Sequence, residues 1–498
     1  MTSAPLPPRS SQLPLPPQPP LPQLSPLPPR PAAAVIADLA AELQALDPQL
    51  DLLGPSLGPS SDPGPQAAPA PLNSELARLS RDYFDYSPLL VPLLQGRRAD
   101  LAVRARSLEQ VLLVAGACAR HRVPLTLRGA GTGNYGQCVP LCGGLVLDLT
   151  QLGQLRHLDP DTGVVEVEAG CGLAALDRQL APHGRAIRLA PSSYRTATVG
   201  GFIAGGSGGI GSLRWGFLRD PGNLLGLELV TLEPEPRLLR LDAAASAPIN
   251  HAYGTNGIIT ALRLPTVEAV AWRQLLVGFD DWSAALAAAQ TLMASALELN
   301  ALALLEAELL PAMPWPPGSP APMAGQHRLL LLASPAALEV LPALLRAKGG
   351  ELLLAWPQGQ GKGLPLSEFT WNHVTLHWRG QHPDWTYLQL LLPQPEAPCL
   401  EALRRRWGPD LLWHLEGVRS GGMARLAALP LLRWQGPEQL EELIDHCRQL
   451  GAVIFNPHVI TVEEGGLGVV DADQVAAKAA YDPAGLLNPG KLRGWLER

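Results

Sequence analysis

The run Arg128-Gly129-Ala130-Gly131-Thr132-Gly133-Asn134-Tyr135-Gly136-Gln137 constrains this chain more than any other stretch. It lies between two short apolar segments of β character, Val123-Pro124-Leu125-Thr126-Leu127 and Leu145-Val146-Leu147-Asp148-Leu149. Glycines let several backbone N–H groups converge on one point with no side chain in the way, a geometry that suits a phosphate. Each charge-assisted hydrogen bond made there contributes roughly 1.5–3 kcal/mol. A strand, a glycine loop and a second strand in this order point to a phosphorylated cofactor.

The bare pattern G-x-G-x-x-G occurs twice, at Gly131 to Gly136 and at Gly206 to Gly211. A dinucleotide-binding Rossmann unit needs its glycines to close a strand and open a helix. After Gly136 the chain passes Pro140 and Gly143-Gly144 into another strand, and Gly205 to Gly211 is nearly all glycine with no helix-forming run behind it. Both are poor helix starts. A Rossmann nicotinamide site is rejected for both.

The arginine, the Gly-x-Gly-Thr-Gly loop and the apolar strand ending in Asp148 resemble another family. This is the FAD-binding domain of the p-cresol methylhydroxylase (PCMH) type, in the vanillyl-alcohol oxidase superfamily. Three more segments resemble it in order. Pro191-Ser192-Ser193-Tyr194-Arg195-Thr196-Ala197-Thr198-Val199-Gly200-Gly201 is similar to its second loop, and Tyr253-Gly254-Thr255-Asn256-Gly257-Ile258-Ile259-Thr260 to its third. Tyr481-Asp482-Pro483-Ala484-Gly485-Leu486-Leu487-Asn488-Pro489-Gly490-Lys491 is similar to the ending of the glycolate and D-lactate dehydrogenase branch. The resemblance implies an α+β chain with a two-part FAD-binding PCMH-type domain and an inserted α+β substrate (cap) domain.

Composition is compatible with that plan. A chain of 498 residues can bury a large core in two or more domains. A formal net charge of −7 without a basic stripe argues against a nucleic-acid partner. No window is apolar enough for a membrane span, and the N-terminus lacks the plan of a signal peptide. Six scattered cysteines form neither a disulfide framework nor a zinc pattern, so a reduced, cytoplasmic setting is expected.

Residues 1–72 read as a disordered Pro-rich extension, although 33–53 has the spacing of an amphipathic helix through Val35, Ile36, Leu39, Leu43 and Leu46. An upstream start codon and a polyproline docking arm both account for such a tail. The FAD-binding domain is expected over 73–268, the substrate domain over 269–445, and a C-terminal return completing the flavin site over 446–498.

By the resemblance, Arg128, Gly129, Ala130, Gly131, Thr132, Gly133, Asn134 and Gln137 face the FAD pyrophosphate with Pro191, Thr198, Gly200 and Gly201. Gly257, Ile258 and Ile259 run along the cofactor through backbone atoms, and Tyr481, Asn488 and Lys491 line the flavin ring. The first loop has no histidine and free cysteine is mostly a small buried hydrophobe, so FAD is expected to be non-covalent. Oxidising an alcohol or 2-hydroxy acid needs a base for the hydroxyl proton, and histidine titrates near neutrality. His458 and His373 are the candidates, with Tyr481. Trp371 to Trp378 reads as a strand, which sets His373 and His377 about 13 Å apart, too far to share an ion. The branch's metal motifs, Gly-Asp-Gly-Asn and Glu-His-Gly, are missing, and no metal is expected. A sugar or aldonolactone oxidase, or a non-catalytic FAD-binding subunit, stays open, as does the electron acceptor.

Overall fold

The computed structural model describes residues 27–54, 75–206, 208–358 and 363–498. The first sheet is built on three parallel strands, Leu101–Arg104, Leu145–Asp148 and Leu125–Arg128. Leu145–Asp148 is buried along its whole length, as a central parallel strand with both faces covered must be. Helix Leu108–Arg120 makes the crossover. Its N-terminus is capped by the Ser107 hydroxyl, which accepts from the Gln110 N–H at 3.3 Å.

Part of the extension expected to be disordered is ordered. Helix Ala33–Leu46 buries Ile36, Leu39, Ala40 and Leu43 in the core that also holds Val111, Val114 and Ala115. Strand Asp51–Leu53 then pairs antiparallel with Leu101–Arg104 at the sheet edge. Composition misled because a proline-rich context hid a short stripe of apolar residues, each contributing about 1.5–3 kcal/mol on burial. Residues 1–26 and 55–74, and the docking role considered for the tail, lie outside the described residues.

The second sheet is antiparallel, with strand order Leu155–Leu158, Val164–Glu168, Ile258–Glu268, Gly226–Val230 and Leu238–Asp242. Arg185–Ile187 also pairs with Ile258–Glu268. Val164–Glu168 alternates between half-buried and buried positions, as its sequence alternation requires.

Residues 273–454 build an eight-stranded sheet of their own. Helices Trp282–Ala294, Glu396–Trp407 and Pro437–Gln449 bury apolar stripes in one core against it. Helix Asn372–Gln381 packs through Val374 and Trp378 into another core, with Leu276, Ala303 and Leu330 of the same sheet. The chain then returns to the first sheet. Leu125 N donates to Leu486 O at 2.9 Å and Asn488 N to Leu125 O at 2.8 Å, which lays the C-terminal segment beside the strand that launches the glycine loop. The architecture is the expected α+β plan, two sheets followed by an eight-stranded and a three-stranded sheet before the return.

Candidate functional site

The first glycine loop is fastened from below by two buried cations. Arg128 Nη1 donates to Leu79 O at 3.1 Å and Arg81 O at 2.5 Å. Lys491 Nζ donates to the carbonyls of Gly136 (2.6 Å), Gln137 (2.9 Å) and Val139 (2.7 Å). An ammonium has three N–H donors, and all three are spent. Lys491, expected at the flavin ring, instead holds the loop in shape. Asn488 does similar work, donating from Nδ2 to Gln137 O and Tyr253 O at 2.7 Å each.

The loop needs glycine for two separate reasons. Gly131 has φ +69°, and a Cβ there would strike the Arg128 guanidinium. A Cβ on Gly129 would strike Thr198 Oγ1, so the first and second loops touch at this point. Thr198 caps the short helix Val199–Gly205 by accepting from the Gly201 N–H at 3.2 Å, while Gly200 N donates to Ala169 O. Ser193 Oγ lies 3.3 Å from Thr132 Oγ1, and Asn134 Nδ2 donates to the Tyr387 hydroxyl at 2.7 Å. Ala130 contributes its carbonyl to Arg128, and Pro191 is half-buried at the head of the second loop. Ile258 and Ile259 send their side chains into two different cores. Beyond Gly257, therefore, only backbone is on offer.

Three buried polar atoms in this region have no hydrogen-bond partner: Gln137 Oε1, the Tyr253 hydroxyl and Asn488 Oδ1. They belong to residues already joined through Asn488. Leaving such groups unpaired is costly, and unpaired polar atoms close to the first loop suit a ligand with polar edges. His251 and Tyr253 carry left-handed backbone, φ +59° and +52°, a conformation that clusters at functional sites. On the first sheet, a polar cleft of about 480 Å³ opens where its parallel strands end, lined by Arg104, Gly129, Ala130 and Asp148 among others. Strand ends of open α/β sheets commonly receive ligands.

The catalytic expectations fare differently. His458 is buried, with Nε2 2.7 Å from Tyr387 O and Nδ1 2.7 Å from Ser87 Oγ. A carbonyl only accepts, so Nε2 carries the proton and Nδ1 accepts from the serine. Burial pushes its pKa down to about 4. With both nitrogens engaged, His458 has no lone pair for a substrate and is set aside as a base. Tyr481 packs beside the core of the second sheet, and its carbonyl accepts from Leu232 N. It does not join the glycine loops and is also set aside.

His373 sits in a helix, Asn372–Gln381, where a strand was expected. Val374 and Trp378, four residues apart, pack on the sheet below, and that burial overrides the weak strand propensity of Trp, Val and Thr. The helix brings His373 and His377 to a ring separation of 6.4 Å. Among the described residues no group of three His, Cys, Asp or Glu side chains is placed to hold a metal.

His373 Nδ1 lies 2.8 Å from Glu368 Oε1, a pairing distance although off the line of a good hydrogen bond. The same oxygen accepts from Arg195 Nη2 at 3.0 Å. Burial works to raise the Glu368 pKa, but His373 and Arg195 outweigh it and hold the carboxyl below its ordinary value. Sequence reading missed this pair. Its signal was a lone arginine amid the small residues of the second loop, and its carboxylate partner is 173 positions away.

Residues 99–241 match the FAD binding domain family. This is an FAD-binding domain of the PCMH type. The chain is 26% identical over 422 residues to glycolate oxidase subunit GlcD of Escherichia coli (strain K12), covering 78% of this chain and 83% of that protein. It is 30% identical over 181 residues to D-lactate dehydrogenase of Anaerostipes hadrus, covering 34% of this chain and 37% of that one. The fold is shared with alkyldihydroxyacetonephosphate synthase at a TM-score of 0.69 and 16% identity, over 94% of this chain and 87% of that one. The chain is therefore an FAD-dependent oxidoreductase, and the unpaired Gln137, Tyr253 and Asn488 atoms beside the first loop fit that cofactor. No described helix is long and apolar enough to cross a membrane.

Proposed function

We propose that the chain oxidises a small alcohol or 2-hydroxy acid, with non-covalent FAD as hydride acceptor and His373 as acceptor of the hydroxyl proton. The observation that carries the reading is the Arg195–Glu368–His373 chain, at 3.0 Å and 2.8 Å, spanning from the second FAD loop to helix Asn372–Gln381. FAD, when bound, supplies the two-electron acceptor. The protein supplies the rest. In this reading Arg128, Lys491 and Asn488 shape the first loop around the pyrophosphate, and Gly257, Ile258 and Ile259 offer backbone along the cofactor. Glu368 fixes the His373 ring and stabilises its imidazolium, while its own charge is balanced by Arg195.

Two relatives, a glycolate oxidase subunit and a D-lactate dehydrogenase, favour a hydroxy-acid substrate. Non-covalent FAD agrees with the cysteines near the loop. Burial raises the thiols of Cys138 and Cys142 to about 11, keeping them protonated and poorly nucleophilic. We read the two sheets of 51–268 with the C-terminal return as the cofactor half, and the eight-stranded sheet with its helices as the substrate half.

The test is anaerobic bleaching of the flavin by glycolate, D-lactate and longer 2-hydroxy acids, in the wild type and H373A. The expected result is bleaching that slows about 10²–10⁴-fold in H373A with FAD content unchanged, the usual worth of a general base. H373A bleaching at the wild-type rate removes His373 from the mechanism.

A further inference from the structure

We propose that Trp371 sets the largest substrate the site admits and that Glu416 is the positioning residue holding it there. This deepens, and rests on, the reading of helix Asn372–Gln381 as part of the substrate site.

Trp371 stands immediately before that helix with φ 52° and ψ −143°. This backbone region suits glycine and is strained for any other residue. The strain is held by a buried pair. Glu416 Oε1 accepts from Trp371 N at 2.6 Å and lies 2.7 Å from His414 Nε2, and neither side chain is more than 1% exposed. The sheet makes room for the carboxylate. Glu416 faces Ala303 on one neighbouring strand and Ala427 on the other, two small residues that leave its path to Trp371 open.

The strained backbone delivers the indole across the seam between the halves. On its own side the ring packs with Leu391, Val418 and Ala427. On the other it meets the second glycine cluster, where a Cβ on Gly208 would lie 2.6 Å from Trp371 Cη2. That is too close for any side chain but glycine's. Three residues before Trp371 is Glu368 and two after it is His373, so one short segment carries both the indole at the seam and the proposed base. A helix start with no further task would carry glycine here and avoid the strain. Keeping tryptophan, with a buried Glu–His pair to hold it, assigns the indole a task at that seam, and filling space between the two halves is the task it is shaped for.

The experiment measures binding and turnover across one series. Unreactive 2-oxo acids of increasing chain length are titrated into FAD-loaded protein and read by flavin difference spectra, and kcat/KM is measured for the matching 2-hydroxy acids. W371A is expected to move the size limit upward, raising the long-to-short ratio of kcat/KM about tenfold or more, the scale of one or two methylenes in an apolar pocket. E416A is expected to do the same. E416Q should restore the wild-type ratio, because its amide oxygen still accepts from Trp371 N and from the His414 Nε2–H. Should E416A fail to hold FAD, W371A and W371F carry the test. Wild type that binds the short acids while W371A keeps the same size limit overturns this proposal alone. FAD-loaded wild type that binds no acid of the series overturns the hydroxy-acid reading, and this proposal with it.

Discussion

Buried charged groups gather in two places, under the first glycine loop and at the start of helix Asn372–Gln381, and their hydrogen bonds are spent differently. Under the loop the donors are saturated. Arg128 and Lys491 give their protons to backbone carbonyls, so their charge shapes the chain. At the helix, one carboxylate is shared between Arg195 and His373, the buried His377 Nε2 has no partner, and Trp371 is strained. Saturated groups give rigidity, and groups left partly unsatisfied keep the capacity to react or to bind. In the proposed function the first place holds the cofactor and the second carries the chemistry.

The largest expected effect tests the saturated side. K491M removes three charge-assisted hydrogen bonds to backbone carbonyls, each worth about 1.5–3 kcal/mol. Burial lowers the Lys491 pKa to about 8 and raises that of Asp82 to about 6, while attraction between the two charges works against both shifts. The flavin-to-protein ratio after gel filtration should fall steeply, along with the melting temperature. Full FAD retention in K491M would break the comparison at its stronger end.

Setting H458A beside H373A sharpens it. H458A leaves the Ser87 hydroxyl without its partner and should lower stability by about 1–3 kcal/mol, with turnover per bound flavin nearly unchanged. H373A should do the reverse. Similar losses of turnover in both would erase the distinction between a saturated and an available histidine.

The last effect is a pH dependence, partly cancelled by an opposing group. His458 titrates near 4 when folded, below its ordinary value near 6.5. The unfolded chain therefore binds more protons between those values, and stability falls as pH drops through that window. The term is worth up to about 3 kcal/mol for a shift of this size. Asp82, raised to about 6, opposes it from pH 6 downward. His251, lowered to about 4, adds to it. The comparison that isolates His458 is the melting temperature of wild type and H458Q from pH 7 to pH 4.5, with the wild type losing more.

Legibility in the sequence divides along the same line. The glycine loops, the strands around them and the C-terminal return were readable because glycine, strand alternation and turn residues act over a few neighbours. Helix Asn372–Gln381 was misread because the burial of Val374 and Trp378, a tertiary fact, decided it. Glu368 with Arg195, and Glu416 with Trp371, join residues 173 and 45 positions apart. No local pattern announces such pairs. His458 stood out as a histidine in a loop, yet only its contacts with Ser87 and Tyr387 reveal that both nitrogens are taken. The apolar spacing of helix Ala33–Leu46 is visible in the sequence, but the partners that order it lie some seventy residues on, at Val111 to Ala115.

The proposed function requires FAD held without a covalent bond, its grip separate from the chemistry. The visible absorption spectrum of the purified protein, before and after acid precipitation, tests it most directly. The account predicts a flavin spectrum whose chromophore passes wholly into the supernatant. Flavin retained in the pellet, or protein that takes up no FAD at all, would contradict it.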